Sequence, residues 1–351
     1  MIRIGSLSMG DLKIGSLNAK RVMIGDLVGW EKTKKLAPWC ETEVWAKAVQ
    51  VGSTTKSSLY FHAEGDNISI FVDGNEVYGE TKGYFPGGRS DIDVTEAGTN
   101  VTVHSVLFTG NLKKLGFVKL DNTENPVLYS VRSPLPAMKS LEGLFNKCTG
   151  LYQVTENVFS NCTEARTAFG CFMGCSSLKQ LPNGLFQYCQ KLYAFDFTFA
   201  NCTSLEELPA GLFSGLSITN LMGAFGGCTS LKAIPAGFFD TVRVSCGFYG
   251  TFAGDTALTT IPAGLFSKAT GSPNFNQTFK GCGLTALPID TFAAEATPNS
   301  FNQTFMDCGD LEGNVPELWN LYPGVTSADH KECFSGCDLV SNYADIPTGW
   351  K

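Results

Sequence analysis

The chain has 351 residues, of which 43% are hydrophobic and only 17% charged, with a net charge of -7. That length exceeds a single compact core and points to two or three domains. The weakly acidic balance gives no electrostatic basis for a nucleic-acid partner or an anionic membrane surface. No run of about 18 apolar residues offers a membrane-inserting segment. Phe (26) and Gly (38) stand out, and they point to a repetitive, turn-rich architecture.

The first thirty residues are three ten-residue units, in which Ile4, Ile14 and Ile24 each begin the word Ile-Gly-(Ser/Asp)-Leu. Ile2 and Ile4, Leu12 and Ile14, and Val22 and Ile24 alternate with other residues, so each unit offers a very short strand with one apolar face. Gly5, Gly15 and Gly25 then permit a turn, and Leu7, Leu17 and Leu27 add a second apolar ladder. Strands this short are not stable alone. Ile4, Leu7, Ile14, Leu17, Ile24 and Leu27 are therefore expected to dock on a partner or on other copies of the segment, making 1–38 an anchor or oligomerisation segment. Gly and polar residues follow Arg3 at once, with no apolar run of seven, which argues against a secretory signal. In the reducing compartment this implies, the 13 cysteines read as thiols.

Residues 41–134 alternate short aromatic and β-branched runs ("EVWAKAVQV", "SSLYFHA", "NISIFVDG", "NVTVHSVLF", "PVLYSV") with Gly, Asn, Asp and Pro turns. This is an all-β pattern. Residues 83–91, "GYFPGGRSD", read as a loop, where Tyr84 and Phe85 are either a sugar-stacking pair or, the preferred reading, packing residues. The stretch from His62 to Glu80 followed by Thr95 to Leu112 resembles a polycystic-kidney-disease-type or immunoglobulin-like β-sandwich, which implies a connector domain.

From residue 138 the chain repeats. Phe145, Phe172, Phe199, Phe225, Phe252, Phe279, Phe305 and Phe334 follow one another at steps of 27, 27, 26, 27, 27, 26 and 29. Units such as "FANCTSLEELPAGLF" (199–213) share the template Phe-x-x-Cys-x-x-Leu-x-x-(Leu/Ile)-Pro-x-Gly-(Leu/Phe)-Phe. A period in the twenties with Leu-x-x-Leu beside a Cys or Asn position is a leucine-rich-repeat signature. Such coils bury their apolar residues only by stacking. Leu-x-x-Leu predicts a short strand ended by Pro. The apolar residue four before each Phe (Leu141, Phe195, Leu221, Phe248, Phe275, Phe301) predicts one or two helical turns. The expected fold is thus multidomain, with a short N-terminal β repeat, an all-β sandwich over 41–134 and a solenoid of about eight coils over 138–351.

Cys148, Cys175, Cys202, Cys228, Cys282, Cys308 and Cys337 recur with the template, and Asp255 takes their place once. Cys171 and Cys175, like Cys333 and Cys337, are spaced i, i+4. Only His62, His104 and His330 could complete a metal site, so the ladder reads as buried structural thiols with no metal or other cofactor. Asn-x-Ser/Thr sites fall mostly inside the repeat and follow its grammar rather than marking glycosylation.

The motif Phe-x-(Gly/Asn)-Cys-(Thr/Ser)-Ser-Leu followed by (Leu/Ile)-Pro resembles the BspA-like class of leucine-rich repeats over 138–351. That resemblance implies adhesion or ligand recognition. No nucleophile elbow, phosphate-binding loop or zinc-protease motif is present, so no catalytic residue is assigned and the chain is not read as an enzyme. The first intervening position of each strand forms a ladder of candidate ligand-binding residues: Tyr152, Lys179, Glu206, Lys232, Thr259, Thr285 and Glu312. The units ending in "IGDLVGW" resemble the starts of tail or head-fibre proteins of phages of Bacteroidetes. Together these imply a virion appendage docked to other virion proteins through 1–38. It would be homo-oligomeric (trimeric, as the fibre class implies) and would touch a host-surface glycan or protein. The alternatives are a bacterial cell-surface adhesin and a polysaccharide-degrading enzyme.

Overall fold

Thr42, Val44 and Ala46 are buried and Glu43 between them only partly so, the period-two pattern of a strand with one covered face. They belong to β1 (Cys40–Lys47). The computed structural model describes residues 40–47, 49–51, 54–56, 58–73, 75–79, 84–93, 103–117, 124–240, 247–269, 271–292 and 296–351. The ten-residue units and the expected docking residues Ile4 to Leu27 lie outside these. The described residues all fall in one compact unit, Trp39–Lys351.

Eight further strands follow: β2 (Val49–Val51), β3 (Thr54–Lys56), β4 (Ser58–Val72), β5 (Asn75–Gly79), β6 (Tyr84–Asp93), β7 (Val103–Gly116), β8 (Leu128–Val131) and β9 (Gln153–Val154). Seven of the strands make one sheet in the order β5-β4-β7-β1-β8-β9, with β6 also on β4, while β2 and β3 form a separate ribbon. The chain is therefore all-β in this region, but the described strands do not form the two facing sheets of the expected sandwich. The reason lies in β4 and β7. "SSLYFHA" and "NISIFVDG" read as two strands, yet they are one, because the Glu64–Ser69 stretch is absorbed as register shifts against β7 rather than as a turn. Likewise 84–93 is strand β6, paired with β4 across a bulge near Gly65, and not an exposed loop. The side chains of Tyr84 and Phe85 lie outside the description. Asp73 follows β4 at the β4–β5 hairpin, in the left-handed conformation (φ 48°) that Asp tolerates.

The core of the sheet runs directly into the repeats. Phe61 meets Phe108 edge-on at 5.0 Å, Phe108 meets Phe117 at 6.0 Å, and Phe117 stacks on Phe145 at 5.9 Å. From there one ring follows another through Phe172, Phe199, Phe225, Phe252, Phe279, Phe305 and Phe334, with centroids 5.1–5.6 Å apart. Neighbouring coils are thus one strand spacing apart, and every coil presents the same residue to the same place. A second column (Phe239, Phe266, Phe292) and a third (Phe248, Phe275, Phe301) stack in the same way and meet each other edge-to-face.

The cysteines tie the coils together. The thiol of Cys175 donates to the Phe145 carbonyl (3.1 Å), Cys202 to Phe172 (3.2 Å), Cys228 to Phe199 (3.2 Å), Cys282 to Phe252 (3.0 Å), Cys308 to Phe279 (3.1 Å) and Cys337 to Phe305 (3.0 Å). Cys148 does the same to Phe117 in the sheet region (3.3 Å). The i, i+4 cysteines belong to two separate columns. Cys171 and Cys333 occupy the position just before the stacked Phe, where other coils place buried Thr198, Thr251, Thr278 and Thr304. Those hydroxyls donate to carbonyls of the preceding coil at 2.9–3.0 Å. The described cysteines of the repeats, from Cys148 to Cys337, are free and buried.

The corner that carries the stacked Phe is not helical. Its backbone closes i to i+3 turns, as from Cys202 N–H to the Phe199 carbonyl (3.1 Å) and from Thr198 N–H to Phe195 (3.1 Å). Two residues later or earlier than each Phe the chain is left-handed: Lys147, Gly174, Asn201, Gly227 and Gly254 on one side, Gly170, Phe197, Gly223, Gly250 and Gln277 on the other. A left-handed residue cannot propagate a right-handed helix. The predicted helical turns therefore resolve into tight corners. Among the described residues the one α-helix is α1 (Leu318–Leu321), near the C-terminal end.

The Leu-x-x-Leu side is bonded between coils as expected, for example Glu206 N–H to the Lys179 carbonyl (3.2 Å) and Glu312 N–H to Thr285 (3.0 Å). It is too short to count as a strand beyond β9. A second, more regular column of parallel bridges joins Thr167, Ala194, Asn220, Gly247, Asn274 and Ser300.

Both ends of the stack are covered. At the start, β8 and β9 pair in parallel and Asn125 donates to the Phe117 carbonyl (2.8 Å). At the finish, Phe334 N–H is taken by the Trp350 carbonyl (2.8 Å), and the Trp350 indole stacks on His330 at 4.4 Å.

Candidate functional site

Two exposed surfaces follow from this architecture. The first is the Leu-x-x-Leu side, where the structure brings the sequence-predicted residues Tyr152, Lys179, Glu206, Lys232, Thr259, Thr285 and Glu312 into one solvent-facing column. Tyr152 stacks flat on Tyr129 at 5.8 Å. Lys232 bonds Glu206 at 2.7 Å and holds its carboxyl below the usual range, and Lys179 adds to the effect. The middle of this column is thus charge-paired within itself. Thr285 donates to the Thr259 carbonyl (3.3 Å), which leaves Glu312 as the acidic end of the row.

The second surface is the corner that carries the stacked Phe. The sequence does not single it out, because the constant Phe and Cys dominate the repeat and the changing residues lie beside them. The position three before the Phe is Phe169, Asp196, Met222, Tyr249, Asn276 and Asn302 in successive coils. That variation within a fixed frame is the signal that would have found it. Here a cleft of about 250 Å³ opens, lined by Phe197, Ala200, Asn201, Gly223, Gly226, Tyr249, Gly250, Ala253 and Gln277.

The cleft exists because one coil lacks side chains. Gly223 and Gly226 belong to the coil between those of Phe197 and Tyr249, so the backbone of that coil contributes the floor. A Cβ on Gly223 would come within 2.6 Å of the Phe197 ring. Phe197 itself has φ 52°, where the neighbouring coils place Gly170, Gly223 and Gly250. A bulky side chain there is strained by roughly 1–3 kcal/mol. Phe169 packs edge-on against it at 5.8 Å and is 40% exposed, as is Tyr249 at 39%. At the far end Gln277 donates to Gln303 (2.7 Å), which donates in turn to Glu332 (2.6 Å). No ionisable carboxyl, amine or imidazole lines the cleft.

The thiol columns offer no reactive group. Burial pushes the Cys189 and Cys202 thiols up to about 12, and the other described ladder cysteines also move upward. Among the described residues no cluster of three metal-ligating side chains occurs.

Asp255 is the exception in the ladder. It is fully buried, accepts the Cys228 N–H at Oδ1 (2.7 Å) and has no partner at Oδ2. Burial raises its carboxyl well above the ordinary range, with Cys228 and Gly227 N–H opposing. At this place the other coils carry a thiol that donates to a carbonyl of the preceding coil. A carboxyl whose folded value is raised contributes stability that is complete below about pH 4 and is lost as pH rises through the raised value. Asp255→Cys is therefore expected to stabilise the chain by about 1–3 kcal/mol at pH 8, with a smaller gain at pH 5. Urea melts of both proteins at the two pH values check this, and a gain independent of pH would contradict it.

No helix among the described residues is long and apolar enough to cross a membrane. No protein-family model matches the chain, and no curated protein does. Among solved structures, a leucine-rich cell-surface protein of Faecalibacterium prausnitzii is similar at 18% identity and a TM-score of 0.25, over 57% of this chain and 52% of that one.

Proposed function

We propose that this chain is a non-catalytic recognition protein, with its repeats forming a leucine-rich-repeat solenoid of the BspA-like kind presented at a bacterial cell surface. The observation that carries this reading is the division within every coil. Phe, Cys, Thr and Leu positions are buried and bonded from coil to coil, while the positions between them are exposed and change chemistry along the stack. A frame of that kind builds an extended binding surface at little risk to its own stability. The sheet that adjoins the stack suits a connector role.

A second reading, the virion appendage, is favoured by the three Ile-Gly-(Ser/Asp)-Leu words, whose repeated apolar positions suit docking into an oligomeric particle. Immunogold labelling of the producing cells and of any particles they release separates the two. Label on the cell envelope is expected, and label on particles alone transfers the protein to the second reading. For recognition itself, full-length chain on beads is expected to adhere saturably to glycan- or protein-coated surfaces. Failure to adhere to any of them, or hydrolysis of a polysaccharide, contradicts the proposal.

A further inference from the structure

We propose that the cleft over Gly223 is a binding subsite for one uncharged sugar ring of a surface glycan. This names the ligand class for the recognition reading and rests on it. Four features converge there. First, the cleft is small, at about 250 Å³ just under the roughly 300–1,000 Å³ typical of ligand sites, so it takes one ring rather than a long segment.

Second, its walls are aromatic. Phe197 and Tyr249 stand on the coils either side of the glycine row, and the ring ladder beneath them spaces those coils by 5.5 and 5.4 Å. Aromatic walls suit the C–H faces of a pyranose, which are apolar although its rim is hydroxylated. Third, the polar groups at the rim are neutral amides. Asn201 is exposed, and Gln277 is held by Gln303, so hydroxyls find both donors and acceptors without a charged partner. The lining itself carries no charge, and the nearby Lys280 ammonium is engaged by Gln303 Oε1 (3.1 Å), which disfavours phosphates, sialic acids and uronic acids, for which free cations would be needed.

Fourth, Phe197 is retained in a left-handed conformation where Gly serves the adjoining coils. Packing of the ring on Phe169 and over Gly223 offsets part of that strain, and the same ring gives the cleft its wall. The same geometry makes a clean test, because Phe197→Gly restores the residue that neighbouring coils use at this place. Tyr249 is substantially exposed, so Tyr249→Ala also spares the core.

The experiment is saturation-transfer NMR on full-length chain, using methyl glycosides of glucose, galactose, mannose and N-acetylglucosamine, with methyl glucuronide and sialic acid as charged comparisons. At least one neutral glycoside is expected to bind, with a tenfold or greater weakening in both Phe197→Gly and Tyr249→Ala and unchanged circular dichroism. Binding of the charged sugars only, no binding of any glycoside, or neutral binding unaffected by both substitutions overturns the subsite. In the bead assay, adhesion that survives both variants removes the subsite and keeps recognition. Loss of adhesion by the unaltered chain removes the recognition reading itself.

Discussion

Phe225→Ala is expected to destabilise the protein by about 3–5 kcal/mol, a large part of the 5–15 kcal/mol of a typical domain. Phe225 is fully buried, stacks on Phe199 (5.5 Å) and Phe252 (5.4 Å), and touches Phe213 and Phe238 at 6.2 and 6.0 Å. Truncation leaves a hole that two coils share, and the backbone bonds on either side keep them from closing over it. Because coils interact only with their neighbours, the loss falls on the coupling between the two halves of the stack. Urea unfolding is expected to shift to lower midpoint and to broaden or split, as cooperativity fails at that point. A loss below about 1 kcal/mol, with one sharp transition, would contradict a continuous ring ladder.

The second large effect is at the far end. Trp350 is buried against His330, Phe301 (6.0 Å) and Trp319 (6.4 Å), and its carbonyl takes the Phe334 N–H that a further coil would otherwise meet. Trp350→Ala is expected to cost about 3–5 kcal/mol, again by the cavity it leaves. Unlike Phe225→Ala, it should act locally. Hydrogen exchange should quicken at Phe334 and Cys337, while amides of β1 and β7 keep their protection. Exchange that quickens equally throughout would mean that the last coil does not act as a terminal cap.

Much of the repeat was legible because a stack imposes its own period. The Phe, Cys and Leu columns occupy one place per coil, and each of these residue types is apolar enough to betray burial by recurrence alone. The corners were misread for a specific reason. An apolar residue four before Phe fits a helix as well as a tight turn, and the deciding residues are the left-handed ones beside it. Gly170, Gly223 and Gly250 advertise that conformation, but Phe197 and Gln277 at the same place hide it. The second bridge column was invisible because Ala194, Asn220, Gly247, Asn274 and Ser300 share no strand-forming character.

In the sheet, Asp73-Gly74 was readable as a hairpin turn, whereas Glu64-Gly65-Asp66 resembled one and is a bulged passage of β4. Local composition does not distinguish a turn from a bulge, since pairing with β7 decides it. The cleft was hidden for a different reason again. It depends on three adjacent coils together, a missing side chain between two large ones, and no single repeat carries that pattern.

The central claim is that this stack recognises a ligand through exposed, coil-specific residues, and at the corner face in particular. Its most direct test compares adhesion of the full chain with two variants: Lys179, Glu206 and Lys232 all changed to Ala on the charge-paired column, and Phe197→Gly with Tyr249→Ala at the cleft. Adhesion is expected to persist in the first and to fall at least tenfold in the second. Adhesion lost with the column and intact with the cleft would contradict the account.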